Sequence, residues 1–419
     1  MTNSARARLA PIDADEENRR HPKPPRTPLV ITSDFEALQV ATELAGRFRI
    51  GAAERDRDRR LPWDEIEQYT ASGLGSITVP REFGGADVSY VTLGKVFEIL
   101  CAADPALGQI PQNHFGVLQL IREYGTQEQK SRVYDDILAG NRIGNAGPER
   151  GKKAVSHSST TITRTPSGLR LTGKRFYSTG AIFAHWIPSR AVDDEGRAVQ
   201  VWARYNAPGV TVIDDWSSFG QRTTASGTVK FDNVPVDEAL IVPVWSFADR
   251  PGLSGPVSQF IQAAIDSGIA TAAIDDAIDF VRNNARPWVD SGLEQATDDP
   301  TIIHEIGALK AELHAAQEML YKAGTLLDDL SKRRMTDALS AEASVAVAEA
   351  KILTTEIALE ATEKLFDLSG SSATRAKHNL DRHWRNARVH TLHDPVRWKY
   401  HLIGNYELNG VFPTRHQWN

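Results

Sequence analysis

Apolar residues recur every three or four positions from Ile31 to about Leu138, as in Phe35, Leu38, Ala41 and Leu44 and again in Val96, Phe97 and Leu100. That spacing lines them up along one side of a helix, so residues 29–138 are expected to form a helical domain. Its helices should be separated by loops at Leu61-Pro62-Trp63-Asp64, where Asp64 suits a first turn, and at Val79-Pro80-Arg81-Glu82-Phe83-Gly84-Gly85. Over residues 139–245 the texture changes to short β-branched runs, such as Thr160 to Thr163, Leu169 to Leu171 and Val210 to Ile213, which predict a β domain. Over residues 246–419 long Ala- and Leu-rich stretches return, notably Ala311 to Leu330 and Ala341 to Leu368, with charges on one face. Their length predicts a helical bundle. Residues 1–28, rich in Arg, Pro and acid, read as a disordered arm. The chain is therefore α+β, with helical, β and helical segments in that order.

Composition narrows the function. A chain of 419 residues with 54 acidic and 48 basic side chains carries a net charge of −6, which offers no basic field to nucleic acid or anionic lipid. A small-molecule substrate fits better. The single cysteine, Cys101, excludes an internal disulfide and any Cys-based metal cage and suits a reducing compartment. The N-terminus lacks the apolar run of a signal peptide, and no stretch approaches the ~20 apolar residues of a bilayer crossing. A cytoplasmic location is expected.

Two nucleotide motifs are incomplete. Gly73-Leu74-Gly75 begins a dinucleotide pattern, but Thr78 stands where the third glycine is needed and no strand precedes it. Gly147 to Gly151-Lys152 resembles a phosphate loop one residue short, with Lys153 in place of the Ser or Thr that holds magnesium. His378, His383, His390, His393 and His401 crowd the C-terminal region, yet no ligand framework accompanies them, and no metal is expected.

Gly73-Leu74-Gly75-Ser76-Ile77-Thr78-Val79-Pro80 with Phe83-Gly84-Gly85, and Gly173-Lys174-Arg175-Phe176-Tyr177-Ser178-Thr179-Gly180-Ala181, resemble the helix-to-loop signature and the central strand of the acyl-CoA dehydrogenase superfamily. The resemblance implies an N-terminal helical domain, a central β-barrel-like domain and a C-terminal four-helix bundle. Arg382-His383-Trp384-Arg385-Asn386-Ala387-Arg388 followed by Thr391-Leu392-His393-Asp394-Pro395 is similar to the flavin monooxygenase branch typified by dibenzothiophene monooxygenases. Gln109-Ile110-Pro111-Gln112-Asn113-His114-Phe115, Gly220 to Gly227, and Trp398-Lys399-Tyr400 with Gly404-Asn405-Tyr406 resemble the SfnB family of sulfur-acquisition oxidoreductases.

That likeness implies a set of roles. The dehydrogenases carry Tyr-Glu-Gly, whose glutamate removes a substrate proton, where this chain has His393-Asp394-Pro395. Asp394 as a shorter base would draw its carboxylate back by over ~1 Å. Imidazole offers a proton group near neutrality, so His393 is the expected catalytic group. His114 is its implied partner across the pocket, against the alternative of a helix histidine capping a carbonyl. Flavin contacts are implied for Asn145, Tyr177, Ser178, Thr179, Trp216 and Ser226, with the loop from Asn145 to Gly151 also a lid. Each has a plain alternative, core packing for Trp216 and strand propensity for the hydroxyl residues. Arg286 is the implied phosphate grip, against an ordinary surface arginine, and Gly370 and Ser371 lie where a neighbouring subunit reaches the cofactor, against a simple helix cap.

The resulting expectation is a two-component monooxygenase using reduced FMN, supplied by a separate NAD(P)H:flavin reductase, and O2 to oxygenate a small organosulfur compound. A homotetramer is expected. FAD with acyl-CoA dehydrogenase chemistry, or a non-catalytic scaffold, are the alternatives that the residues leave open.

Overall fold

The computed structural model describes residues 21–150, 159–247 and 249–419. Seven helices come first among the described residues: α1 (Asp34–Arg49), α2 (Ala52–Asp58), α3 (Trp63–Ala71), α4 (Tyr90–Ala103), α5 (Pro105–Gln109), α6 (Gln112–Tyr124) and α7 (Gln127–Leu138). Local chemistry sets several starts. The Ser33 hydroxyl accepts from the Glu36 N–H, and Thr126 with Gln129 forms a reciprocal capping box at α7. Of the arm, residues 1–20 lie outside the described residues. Residues 21–28 have no regular structure but run against the body, where His185 Nε2 meets the Lys23 carbonyl at 2.8 Å.

Among the described residues the central sheet has six strands, β1 (Thr161–Thr165), β2 (Gly168–Arg175), β3 (Trp186–Val192), β4 (Ala198–Arg204), β5 (Val210–Ile213) and β6 (Thr228–Pro235), in the order β4-β3-β1-β2-β6-β5. Between these six strands the pairings are antiparallel except the β1–β3 step at Thr161 and Val192, and Ile143 and Ala146 add parallel bridges to Trp186 and Ser189 of β3. Alternating inward residues such as Leu171, Ile187, Val201, Val229 and Phe231 give the sheet a core of its own. The stretch expected as one strand through Ala181 departs from the sheet: β2 ends at Arg175, and Tyr177 takes a positive φ of 55° that a strand cannot continue.

Three long helices follow, α8 (Ser254–Asn283), α9 (Pro300–Leu330) and α10 (Asp337–Ser369), then the shorter α11 (Asp381–His390) and α12 (Arg397–Asn409). Asp299 caps α9 by accepting from the Thr301 and Ile302 N–H groups, with Pro300 in the first turn. α8 is apolar on nearly every side because α4, α6, α9, α10 and α11 all pack against it. The two helical segments thereby share one continuous core, and α4 from the N-terminal segment completes the layer around α8.

Gly268 marks one close approach in that core. A Cβ there would stand 2.7 Å from both Cys101 Cβ and the Glu98 carbonyl oxygen, atoms of α4 that have no room to yield. Gly268→Ala should cost about 1–3 kcal/mol, read as a lowered thermal midpoint. Gly46→Ala, where nothing lies within 4 Å, should hold or raise it. Equal midpoints for the two variants would contradict this packing.

Candidate active site

The C-terminal end of α5, the turn after β2, the segment before β6 and the α11–α12 corner enclose a cavity of about 1160 Å³. Phe176, Tyr177, Trp216 and Phe219 wall one side; Leu392, Trp398, Phe412 and Trp418 wall the other. Tyr177 and Trp216 meet edge to face with ring centroids 5.9 Å apart. A large, mostly apolar space with a few fixed polar groups is the form of a small-molecule site.

Its polar groups sit on strained backbone. Tyr177, Gln221 and Ala225 all have positive φ, at 55°, 48° and 48°, a conformation that side chains other than glycine adopt only when the surroundings enforce it. Here the enforcement is visible. Trp216 Nε1 donates to the Gln221 carbonyl at 2.9 Å, the Gln221 N–H donates to Asn386 Oδ1 at 2.6 Å, and Asn145 Nδ2 donates to the Tyr177 carbonyl at 3.2 Å. The resulting turns carry Thr179, Thr224 and Ser226 to the cavity wall, with the Ser226 hydroxyl 2.7 Å from each of the two threonine hydroxyls.

Beneath the α11–α12 corner lies a buried charge cluster. His390 Nδ1 is 2.5 Å from Asp266 Oδ1, and the other Asp266 oxygen accepts from Thr355 Oγ1 at 2.9 Å. Lys351 Nζ stands between two carboxylates, 3.8 Å from Asp266 and 3.9 Å from Asp394, and donates to Gln262 at 2.9 Å. Lys399 Nζ is 3.9 Å from the other Asp394 oxygen, and His393 Nδ1 is 3.6 Å from the first. Burial pushes the Asp394 carboxyl up, but Lys351, His393 and Lys399 together overcome it and hold it well below the usual carboxylate range. Burial lowers the Lys399 ammonium to about 8 in spite of Asp394.

Of the residues expected to act together, His393, Asp394, Asn145, Tyr177, Thr179, Trp216 and Ser226 all line this cavity. Thr179 and Ser226 do so from turns, not from strands. Ser178 is buried beside them with its hydroxyl unpartnered among the described residues. The lid reading covers Asn145 to Arg150 within the described residues; Gly151 lies outside them. His114 is elsewhere. Its Nε2 donates to the Gly75 carbonyl at 2.7 Å and its Nδ1 accepts from the Ile143 N–H at 3.1 Å, so both ring nitrogens are spent joining the helical segment to the chain entering the sheet. Gln109, five residues earlier, reaches the cavity instead, with its buried Oε1 unpartnered among the described residues. Arg286, Gly370 and Ser371 are exposed and away from their own chain's cavity.

Gln109, Asp266, Lys351 and Thr224 carried no site role in the sequence reading, and His390 entered it only as a member of the histidine cluster weighed for a metal. The lone acid Asp266 amid the apolar run from Phe260 to Ile269 was the one available sign of a buried polar site. The cavity fits a flavin in two respects. Its aromatic walls match a planar ring, and its polar atoms on Gln109 and Gln221, unpartnered among the described residues, match a ring edge bearing donors and acceptors. No group of three His, Cys, Asp or Glu side chains suits a metal among the described residues.

This combination of helical segment, six-stranded sheet and long-helix bundle around a flavin-sized cavity defines an acyl-CoA dehydrogenase fold. Family models agree: the acyl-CoA dehydrogenase N-terminal domain matches residues 38–141 and the C-terminal domain residues 260–398. Dibenzothiophene monooxygenase from Rhodococcus qingshengii is 33% identical over 396 residues, spanning 91% of this chain and 95% of the relative. A probable FMNH2-dependent monooxygenase, SfnC from Pseudomonas putida, is 28% identical and spans 92% and 98%. A crystal structure of TdsC from Paenibacillus sp. A11-2 with FMN and indole superposes with a TM-score of 0.87 at 32% identity, covering 91% of this chain and 99% of that one. The chain belongs to the acyl-CoA dehydrogenase superfamily, in its flavin monooxygenase branch.

The place of His114 has a measurable consequence. Burial lowers its imidazole from 6.5 to about 4, with Arg142 adding to the effect and the Gly75 bond opposing it. The unfolded chain therefore takes up a proton between those values that the folded chain refuses, so this stability is complete above 6.5 and is lost as pH falls towards about 4. Between pH 7 and pH 5 the loss should be about 2 kcal/mol, and His114→Gln should remove that share of the pH dependence in chemical denaturation. An unchanged dependence would place the ring in a solvated setting.

Proposed function

We infer that this chain is a flavin-dependent monooxygenase that uses reduced FMN and O2 to oxygenate an organosulfur compound. The reading rests on Asp394. A dehydrogenase on this scaffold needs a carboxylate that accepts a proton from substrate. Asp394 is buried among Lys351, Lys399 and His393 and held far below the usual range, which makes it a poor base and a fixed anion. His393 is the group that remains free to work, with its side chain 39% exposed at the cavity.

Bound reduced FMN supplies the electrons that activate oxygen. The protein's own residues would do the rest. Tyr177, Trp216 and Phe176 would provide apolar walls that exclude water, and Thr179, Ser226 and Gln109 would meet the polar edge of the bound ring. His393, 3.6 Å from the Asp394 carboxylate, would give and take the proton in the oxygen chemistry.

The organosulfur class is supported by relatives named for dibenzothiophene oxidation. A separate reductase is supported by the incomplete dinucleotide pattern at Gly73. A homotetramer is supported by Arg286, Gly370 and Ser371, which are exposed and far from the cavity of their own chain, and by the exposed Trp288 and Val289 beside Arg286. In this reading a second copy brings Arg286 to the phosphate. The cytoplasm is supported by the buried, unpaired Cys101; no helix of the described residues is long and apolar enough to cross a membrane.

The test is oxygen consumption and product mass spectrometry with a generic flavin reductase, NADH, FMN and 18O-labelled O2, across a panel of sulfides, sulfones and sulfinates. One labelled oxygen atom should enter the product; bleaching of bound flavin by acyl-CoA with no labelled product would restore the dehydrogenase reading. His393→Ala should lower product formation by about 100-fold or more with FMN affinity kept. Parallel loss of affinity would make His393 a structural residue. Arg286→Ala should weaken FMN binding by about tenfold, measured by titration, without moving the unfolding midpoint.

A further inference from the structure

The three hydroxyls at the cavity wall form a chain whose direction can be read from its far end. Thr224 Oγ1 donates to the Gln221 carbonyl at 3.0 Å, an acceptor that has no proton to give. A threonine hydroxyl holds one proton, so that bond uses it. The 2.7 Å contact between Ser226 and Thr224 then requires Ser226 to donate, which uses the Ser226 proton in turn. The 2.7 Å contact between Thr179 and Ser226 requires Thr179 to donate. All three contacts are satisfied together only in this order, Thr179 to Ser226 to Thr224 to Gln221. In the opposite order the bond to Gln221 is lost. The three residues are buried, 8%, 4% and 1% exposed, so water does not readily replace a missing partner.

A chain so directed leaves Thr179 with lone pairs and no proton towards the cavity. A flavin ring gains N–H groups on reduction and presents bare nitrogen acceptors when oxidised. We propose that the Thr179–Ser226–Thr224 hydroxyl chain is a redox-state selector, which holds reduced FMN by accepting an N–H at Thr179 and disfavours the oxidised form. The proposal rests on the flavin reading above and goes further, in assigning the preference to a fixed hydrogen-bond polarity. To bind oxidised FMN as well, the chain must reverse and forfeit the Gln221 bond. One neutral hydrogen bond sets the scale, about threefold to tenfold in affinity. The strained turns at Gln221 and Ala225 hold the far end of the chain in place.

The experiment is anaerobic titration of the full-length protein with reduced FMN and, separately, with oxidised FMN, for the wild type, Ser226→Ala and Thr224→Val. The wild type should bind reduced FMN more tightly. Ser226→Ala cuts the chain and frees the Thr179 proton, so the ratio of the oxidised to the reduced dissociation constant should fall by about threefold to tenfold. Thr224→Val removes the anchor and should lower the ratio in the same direction. A purely structural role would weaken both forms in parallel and leave the ratio alone, which would overturn the proposal. Equal affinities in the wild type would overturn it without need of any variant. Failure of the wild type to bind FMN in either state would instead overturn the flavin reading itself.

Discussion

The site depends on one ten-residue helix, α11, being held from three sides at once. Arg385 pairs with Asp56 of α2 at 2.6 Å and donates to the Phe219 carbonyl before β6 at 2.9 Å. Asn386 accepts the Gln221 N–H from the same segment, while Arg382 and His383 both reach Asp276 of α8, at 2.6 and 2.7 Å. The approach is so close that a Cβ on Gly220 would sit 1.9 Å from the Arg385 carbonyl oxygen, so only glycine is accommodated. Because α11 is fixed to all three segments, His390 and His393 at its end are placed relative to turns that belong to the sheet. Such pairs stabilise little by themselves once desolvation is counted, but losing one partner leaves a buried charge alone. Their main effect is geometric.

The broad architecture was legible because hydrophobic period reports burial directly. It succeeded for α4, α9 and α10, and for β2 and β5, each of which lies where the spacing of apolar residues placed an element of that type. It failed where tertiary contacts overrule local preference. Nothing in Phe176-Tyr177-Ser178-Thr179 announces that the strand stops at Arg175; the stop comes from a positive φ enforced by Asn145, and from a turn stabilised at long range. The shared core of the first and last helical segments was likewise invisible, since a periodic pattern shows that a face is buried and not what covers it.

The candidate site was half legible, for a reason that the two histidines illustrate. His393 lies on a motif whose spacing ties it to α11, so its position followed from the motif. His114 lies three residues into α6, and the question was which side of that helix faces inward. Its ring turns to Gly75 and Ile143, and the cavity is met by Gln109 at the end of α5. A helix turn separates an imidazole that joins segments from an amide that faces the cavity, and composition carries no trace of that choice.

In the proposed function, the cluster below the cavity is what keeps Asp394 from acting as the dehydrogenases' glutamate does. Asp394 has three cationic or protonatable neighbours within 3.9 Å, and neither of its oxygens makes a hydrogen bond among the described residues. A carboxylate stabilised by charges and not by close donors keeps its negative charge, and its field acts on every group around it. Lys399, by contrast, is pushed to about 8 by burial and is tied to the Trp418 carbonyl, which holds the C-terminal tail over the cavity mouth. Asp266 repeats the arrangement one layer deeper, where Lys351 lies between the two carboxylates and His390 is fixed by a 2.5 Å contact. Two anions and two lysines thus form a layer beneath two imidazoles, which sets their orientation from below and leaves proton exchange to the face that meets the cavity. A dehydrogenase base placed in that layer would have to give up its charge to act; a histidine placed above it does not.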